Sequence, residues 1–115
     1  MLCSALALCA FTSAWFSDHW FDPPHTRAVL TYIERESGFD PNVIVTTGAC
    51  LGQWAGSRRK TVLAAGHGKC PPIAWQLEQI HSELWRVDAF RCFWKASTYE
   101  GALAALRRGF GRGRC

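Results

Sequence analysis

The sequence lacks the signatures of several common protein classes. It has no phosphate-binding glycine-rich loop and no Gly-x-Ser-x-Gly nucleophile elbow, which excludes the best-known nucleotide-binding and serine-hydrolase motifs. It also has no internal repeat and no linker between domains. The 115 residues are therefore expected to form one small domain, which buries about two-thirds of the surface of its unfolded chain.

Charge is scarce, at 19% of residues against 49% hydrophobic, and this composition is typical of a globular protein. The formal net charge is +4, with much of the excess in the tail RRGFGRGRC, residues 107–115. That tail is similar to Arg-Gly RNA-binding segments, but a single copy is weak support, so we expect no nucleic-acid partner. A mildly basic surface suits polyanions such as the bacterial cell wall.

The chain begins with an apolar run that has no lysine or arginine, MLCSALALCAFTSAW. It is similar to the apolar part of a secretory signal, with small residues at Thr12, Ser13 and Ala14 as a cleavage site. It is short for a bilayer span, so we expect no stable membrane insertion. The sequence therefore predicts a leader over residues 1–14 before a domain over 15–115. A buried first helix is the main alternative, and a membrane anchor the lesser one.

Six cysteines are many for this length. Two lie in the leader, and four lie in the body at Cys50, Cys70, Cys92 and Cys115. Without the leader an even number remains, which fits two disulfides in an oxidising compartment with three pairings open. The cysteines thus favour an extracytoplasmic location: periplasmic, secreted or virion-associated.

Apolar spacing, capping residues and turn formers predict a mostly α protein. Helices are expected at 25–37, at 58–65 after a Ser57 cap, at 72–86, and after a capping box at residues 97–100. The segment 38–56 is expected to be loop, with a short strand in its β-branched run at 43–46. Glu78 and Glu83 are assigned to the solvated face of the 72–86 helix.

Two spaced motifs carry a family resemblance: Glu-Ser-Gly-Phe-Asp-Pro-Asn at 36–42, and a loop with Gly48-Ala49, Gly52-Gln53-Trp54 and Ser57-Arg58-Arg59. Together they resemble the lysozyme-like superfamily. The phage tail-type lysozymes are the nearest members, followed by soluble lytic transglycosylases and goose-type lysozymes. The match covers residues 33–59, about a quarter of the chain. The resemblance implies a small lysozyme-like domain.

The resemblance also implies cleavage of the β-1,4 bond between N-acetylmuramic acid and N-acetylglucosamine in peptidoglycan, by a monomer without metal or cofactor. Glu36 corresponds to the catalytic acid, Gln53 to an amide lining the cleft, and Ser37 to a residue supporting the glutamate and the local backbone. Trp54 either stacks on a sugar ring or covers the loop as a core residue. The helix dipole disfavours a negative charge at Glu36, and partial burial there would keep it protonated, as a general acid requires.

The sequence departs from the family pattern in three ways. One residue fewer than usual separates Ala49 from Gln53, the chain stops soon after its last helix, and cysteines are not general in these families. No convincing second carboxylate is seen, since Asp40 is expected to brace its turn and Asp88 and Glu100 are remote. A hydrolase normally needs two carboxylates, so the sequence favours a single-glutamate lytic transglycosylase over a lysozyme.

Other functions stay open. A non-catalytic descendant could bind glycan or serve as a structural part of a phage tail or secretion apparatus. Cys50 with His67 or His81 is a weaker candidate for a cysteine peptidase pair. A zinc site is weaker still, because its four candidate ligands, His67, Cys70, His81 and Cys92, do not follow a known spacing.

Overall fold

The computed structural model describes residues 6–86 and 90–111, which form a mostly helical single domain, as predicted. The elements of these residues are α1 (Leu6–Asp18), α2 (Pro23–Ser37), β1 (Ile44–Val45), β2 (Gly48–Ala49), α3 (Gly56–Ala65), α4 (Ile73–Arg86), α5 (Arg91–Lys95) and α6 (Tyr99–Gly111). In this part of the chain no helix combines the length and apolarity needed to cross a membrane.

Helix α2 has well-defined ends because its flanking residues supply both caps. The Asp22 side chain accepts a hydrogen bond from the backbone N–H of His25, and prolines occupy the first turn, where a missing N–H costs nothing. At the other end Gly38 adopts a left-handed conformation (φ 63°), and its N–H donates to the carbonyl of Glu34. The predicted helix at 25–37 is confirmed, and Glu36 lies in its last turn.

The predicted strand within residues 43–46 is also confirmed. Strands β1 and β2 form a two-stranded antiparallel hairpin in which Ile44 faces Ala49 and Val45 faces Gly48. Beyond it the chain turns back, and Ala49 and Trp54 exchange backbone hydrogen bonds of 3.1 and 2.9 Å. The loop that carries Gln53 is thus closed on itself by main-chain hydrogen bonds.

Two long-range links hold this loop to the rest of the domain. A disulfide joins Cys50 to Cys70. The fully buried side chain of Gln76 on α4 accepts from the N–H of Leu51 and donates to the carbonyls of Pro41 and Pro71, at 2.7–2.9 Å. One amide therefore satisfies three backbone groups from three separate segments.

The core lies between the helices. Helix α2 packs against α6 and α1, and α5 packs against α6. The largest fully buried apolar side chains are Phe16, Phe39, Phe93, Ile33, Leu51, Leu77, Leu84 and Leu106. The apolar face predicted for α4 supplies two of them, in agreement with its helical spacing.

The apolar leader overlaps the first helix. Residues 6–14 belong to α1, and Cys9 and Thr12 are buried. Cys9 and Cys92 are both disulfide-bonded in addition to the Cys50–Cys70 pair. Removal of residues 1–14 stays a prediction. Residues 1–5 lie outside the described part of the chain, and so do residues 112–115 of the basic tail, which include Cys115.

Three local details of the prediction are wrong. Helix α3 begins at Gly56 after an N-cap at Ala55, so Ser57 lies inside the helix and does not cap it. Thr98, not Ser97, supplies the hydroxyl at the start of α6, where it accepts from the N–H of Gly101. The short helix α5 was not predicted at all, because five residues are too few to show helical periodicity.

Candidate functional site

A cavity of about 240 Å³ opens between α2, the loop after β2, and helices α3, α4 and α6. Among the described residues, charged, amide or hydroxyl groups at its wall come from Tyr32, Glu36, Gln53, Arg58 and Glu83. Trp54 and several aliphatic residues complete its wall. The two sequence motifs thus meet here, since Glu36 comes from the first, and Gln53 and Trp54 come from the second.

Glu36 borders the cavity from the last turn of α2, and its carboxylate accepts a 3.4 Å hydrogen bond from the Tyr32 hydroxyl one turn earlier. The residue is exposed. The partial burial expected of Glu36 is therefore not found, because the helix ends here and its last turn projects toward solvent. A general acid at this position would have to become shielded by the substrate itself.

Tyr32 lies beside Glu36 and within the electrostatic influence of a second carboxylate. Burial raises the pKa of the Tyr32 hydroxyl, and the charge and hydrogen bond of Glu36 and then the charge of Glu83 raise this pKa further. A phenol in this environment stays a neutral hydrogen-bond donor at physiological pH. It can therefore hold the Glu36 side chain in orientation.

Glu83 is the residue that the sequence misassigned. It is only 7% exposed and lines the cavity, whereas Glu78 on the same helix is exposed as predicted. One Glu83 oxygen accepts from the indole N–H of Trp54 and the other from the guanidinium of Arg58, both at 3.0 Å. The cavity thus contains a second carboxylate besides Glu36, and it is none of the three acidic residues that the sequence raised.

Trp54 forms a wall of the cavity and is only 4% exposed. Gly52 makes room for it, because a Cβ at that position would lie 2.7 Å from the indole ring. The indole is thus held by packing and by its hydrogen bond to Glu83. This is the arrangement expected of a residue that covers the loop, and only a limited part of the ring is open to a ligand.

Gln53 lines the cavity from the loop after β2. It adopts a left-handed conformation (φ 47°), and its amide donates to the carbonyl of Cys50 at 3.2 Å. A Cβ on Gly48 would lie 2.7 Å from this amide oxygen and 3.0 Å from the Gln53 carbonyl oxygen, so the side chain and the backbone of Gln53 both pass close to Gly48. Glu36 on α2 and Gln53 on the loop after β2 thus border the same cavity.

Ser37 does not join this group. Its hydroxyl donates to the carbonyl of Ile33 within α2 at 2.9 Å, and it is not among the described residues that line the cavity. Its contact supports the backbone of the helix end and not the Glu36 carboxylate.

The other acidic candidates lie elsewhere. Asp40 accepts from the N–H of Asn42 at 2.9 Å, so it braces its turn, as expected. Glu100 is exposed at the start of α6 and does not line the cavity described by the structure. Asp88 lies outside the described residues.

The cysteine-based alternatives are wrong for this structure. Cys50 and Cys70 are joined in a disulfide, which leaves Cys50 no thiolate for a peptidase and Cys70 none for zinc. In residues 6–86 and 90–111 no group of three or more His, Cys, Asp or Glu side chains is arranged to hold a metal ion.

No protein-family model matches the chain, and no curated protein or solved structure matches it either. The resemblance to the lysozyme-like superfamily therefore rests on the two sequence motifs alone.

Proposed function

We propose that this protein cleaves the β-1,4 bond between N-acetylmuramic acid and N-acetylglucosamine in peptidoglycan, with Glu36 as the general acid. The observation that carries the proposal is that Glu36, Gln53 and Trp54, taken from two separate motifs, line one cavity. Glu36 donates its proton to the glycosidic oxygen as the bond to the sugar C1 breaks. The Tyr32 hydroxyl orients the carboxyl group for this transfer.

The shape of the cavity is compatible with a glycan strand. Its volume of about 240 Å³ is below the roughly 300–1,000 Å³ of sites that enclose a drug-sized ligand. It accommodates a part of a long ligand, such as one sugar ring, while the rest of the strand lies along the surface. Gln53 supplies amide groups that can hydrogen-bond to sugar substituents.

An extracytoplasmic location is part of the same proposal. The Cys50–Cys70 disulfide fits an oxidising compartment, which is where peptidoglycan is found. The protein is proposed to act there as a monomer on glycan strands.

The test compares the full chain with Glu36→Gln and a matched control, Glu78→Gln, which removes an exposed carboxylate outside the cavity. Removal of a general acid lowers the rate by about 10²–10⁴-fold, whereas the control should keep the native rate. Soluble muropeptides released from purified peptidoglycan are quantified by mass spectrometry. Native cleavage by a folded Glu36→Gln protein would refute the assignment.

One observation favours a second candidate function. Glu36 is exposed, whereas the carboxyl groups that serve as general acids are typically held in apolar pockets that exclude water. The alternative is a non-catalytic protein that binds glycan or serves as a structural part of a phage tail or secretion apparatus. Binding to insoluble peptidoglycan without any released product, equal for the native chain and Glu36→Gln, would establish this alternative.

A further inference from the structure

The buried carboxylate of Glu83 has no role in the function proposed above, which uses Glu36 alone. Burying a carboxylate is unfavourable unless charge and hydrogen bonds compensate for lost hydration. Trp54 and Arg58 each supply one hydrogen bond. A neutral glutamine at this position could also accept the hydrogen bond from the Trp54 N–H, and its burial would cost less hydration energy than burial of a carboxylate. The hydrogen bond from Trp54 therefore does not by itself explain why a negative charge is buried here.

Glu83 lines the cavity, and it is the buried partner of its ion pair. Arg58, its ion-pair partner, is 56% exposed, whereas the Glu83 side chain is 9% exposed and lies further inside. Tyr32 donates to Glu36, and the charges of both Glu36 and Glu83 act on its hydroxyl. Glu36 and Glu83 therefore border the same cavity, and the negative charge of each raises the pKa of the Tyr32 hydroxyl.

We propose that Glu83 is the second carboxylate of the glycosidase reaction and accepts the proton of the attacking water, so that cleavage is hydrolysis with inversion at C1. This inference rests on the proposed function. A carboxylate has about four lone-pair sites, and the Trp54 and Arg58 hydrogen bonds occupy one on each oxygen. A water molecule can use a remaining site. Attack by this water on the face of C1 opposite the leaving oxygen inverts the configuration there.

The reaction balances as follows. Glu36 gives its proton to the glycosidic oxygen, which leaves with the electron pair of the C1–O bond. A lone pair of the water oxygen forms the new bond to C1, and the water gives one proton to Glu83. Proton exchange with solvent then returns Glu36 to its acid form and Glu83 to its carboxylate. One water is consumed for each bond cleaved, and both ends of the cut are ordinary sugars.

The first experiment uses the native full chain and purified peptidoglycan in water enriched in ¹⁸O. The proposal predicts reducing ends that carry one ¹⁸O at C1, detected by mass spectrometry, and an α-anomer seen by NMR before mutarotation. Anhydro sugar ends would overturn the inference while leaving the proposed function intact, because they require no water. A β-anomer would likewise overturn it, since retention indicates two successive displacements at C1 and not a single attack by water.

The second experiment compares Glu83→Gln, which keeps an acceptor for Trp54, with Glu78→Gln on the same helix. We expect kcat to fall about 10²–10⁴-fold in the first variant with little change in KM, and to stay native in the second. The low-pH limb of the kcat/KM profile should disappear, because no base remains to be protonated. A purely structural role would not remove that limb.

The outcomes separate the two proposals. An active native enzyme with a folded Glu83→Gln variant of equal activity overturns the inference only, and retention of the low-pH limb does the same. A native protein that releases no product overturns both proposals. If circular dichroism shows that Glu83→Gln does not fold, the isotope and anomer measurements on the native chain decide the question.

Discussion

Replacing Gln76 by methionine should destabilise the domain by about 2–6 kcal/mol, because it leaves two buried backbone groups without partners. The Gln76 amide bonds to the N–H of Leu51 and the carbonyl of Pro71, both in buried contacts, and to the Pro41 carbonyl in a partly buried one. An orphaned buried group costs about 1–3 kcal/mol, whereas water can replace the Pro41 contact. The expected loss is a large fraction of the roughly 5–15 kcal/mol that keeps a domain folded.

The assay is equilibrium unfolding in guanidinium chloride, followed by tryptophan fluorescence and circular dichroism. Gln79→Met is the matched control, because Gln79 is partly exposed on the same helix. The control should change the free energy of unfolding by less than about 0.5 kcal/mol, as is usual away from such features. A Gln76→Met protein that matches the control would refute the view that this amide holds the loop.

Two further predictions concern stability. Replacing Cys50 and Cys70 by alanine should lower the free energy of unfolding by about 3 kcal/mol, since the disulfide closes a loop with a sequence separation of 20 residues; a loss under about 1 kcal/mol in denaturant titrations would contradict this. Burial opposes ionisation of Asp22, but hydrogen bonds from the His25 backbone and ring, with the charge of His25, lower the pKa of Asp22 below its usual 3.8. The stabilising contribution of Asp22 is therefore fully present above pH 3.8 and is lost as the pH falls through its lowered folded-state pKa. Asp22→Asn should therefore make Tm less dependent on pH at low pH. A Tm profile that runs parallel to that of the native protein would contradict this.

The sequence predicts the elements of this fold well where the local signals are strong. Helix α2 has a capping aspartate, prolines in its first turn and a terminal glycine, and its bounds differ from the prediction by two residues at one end. The apolar spacing of α4 is equally clear, and its bounds differ by one residue. Helix α5 is too short for such periodicity, so only packing defines it.

The candidate site is predictable in part. The motifs indicated Glu36, Gln53 and Trp54, and the structure brings these three together. The resemblance also places Ser37 with them, but successive residues of a helix point to different faces, and the Ser37 hydroxyl bonds to the Ile33 carbonyl. Glu83 was missed because a glutamate near an apolar stripe is ordinarily solvated, and nothing local shows that Arg58 and Trp54 fold over it.

Gln76 and Glu83 are separated by seven residues, or about two helical turns, so they lie on the same side of α4. Both are buried beside its apolar face, and both bind the same loop: Gln76 at Leu51, and Glu83 at Trp54. Two hydrogen bonds from one rigid helix thus fix the loop on either side of Gln53. Because α4 holds the loop on both sides of Gln53, this helix determines where Gln53 borders the cavity.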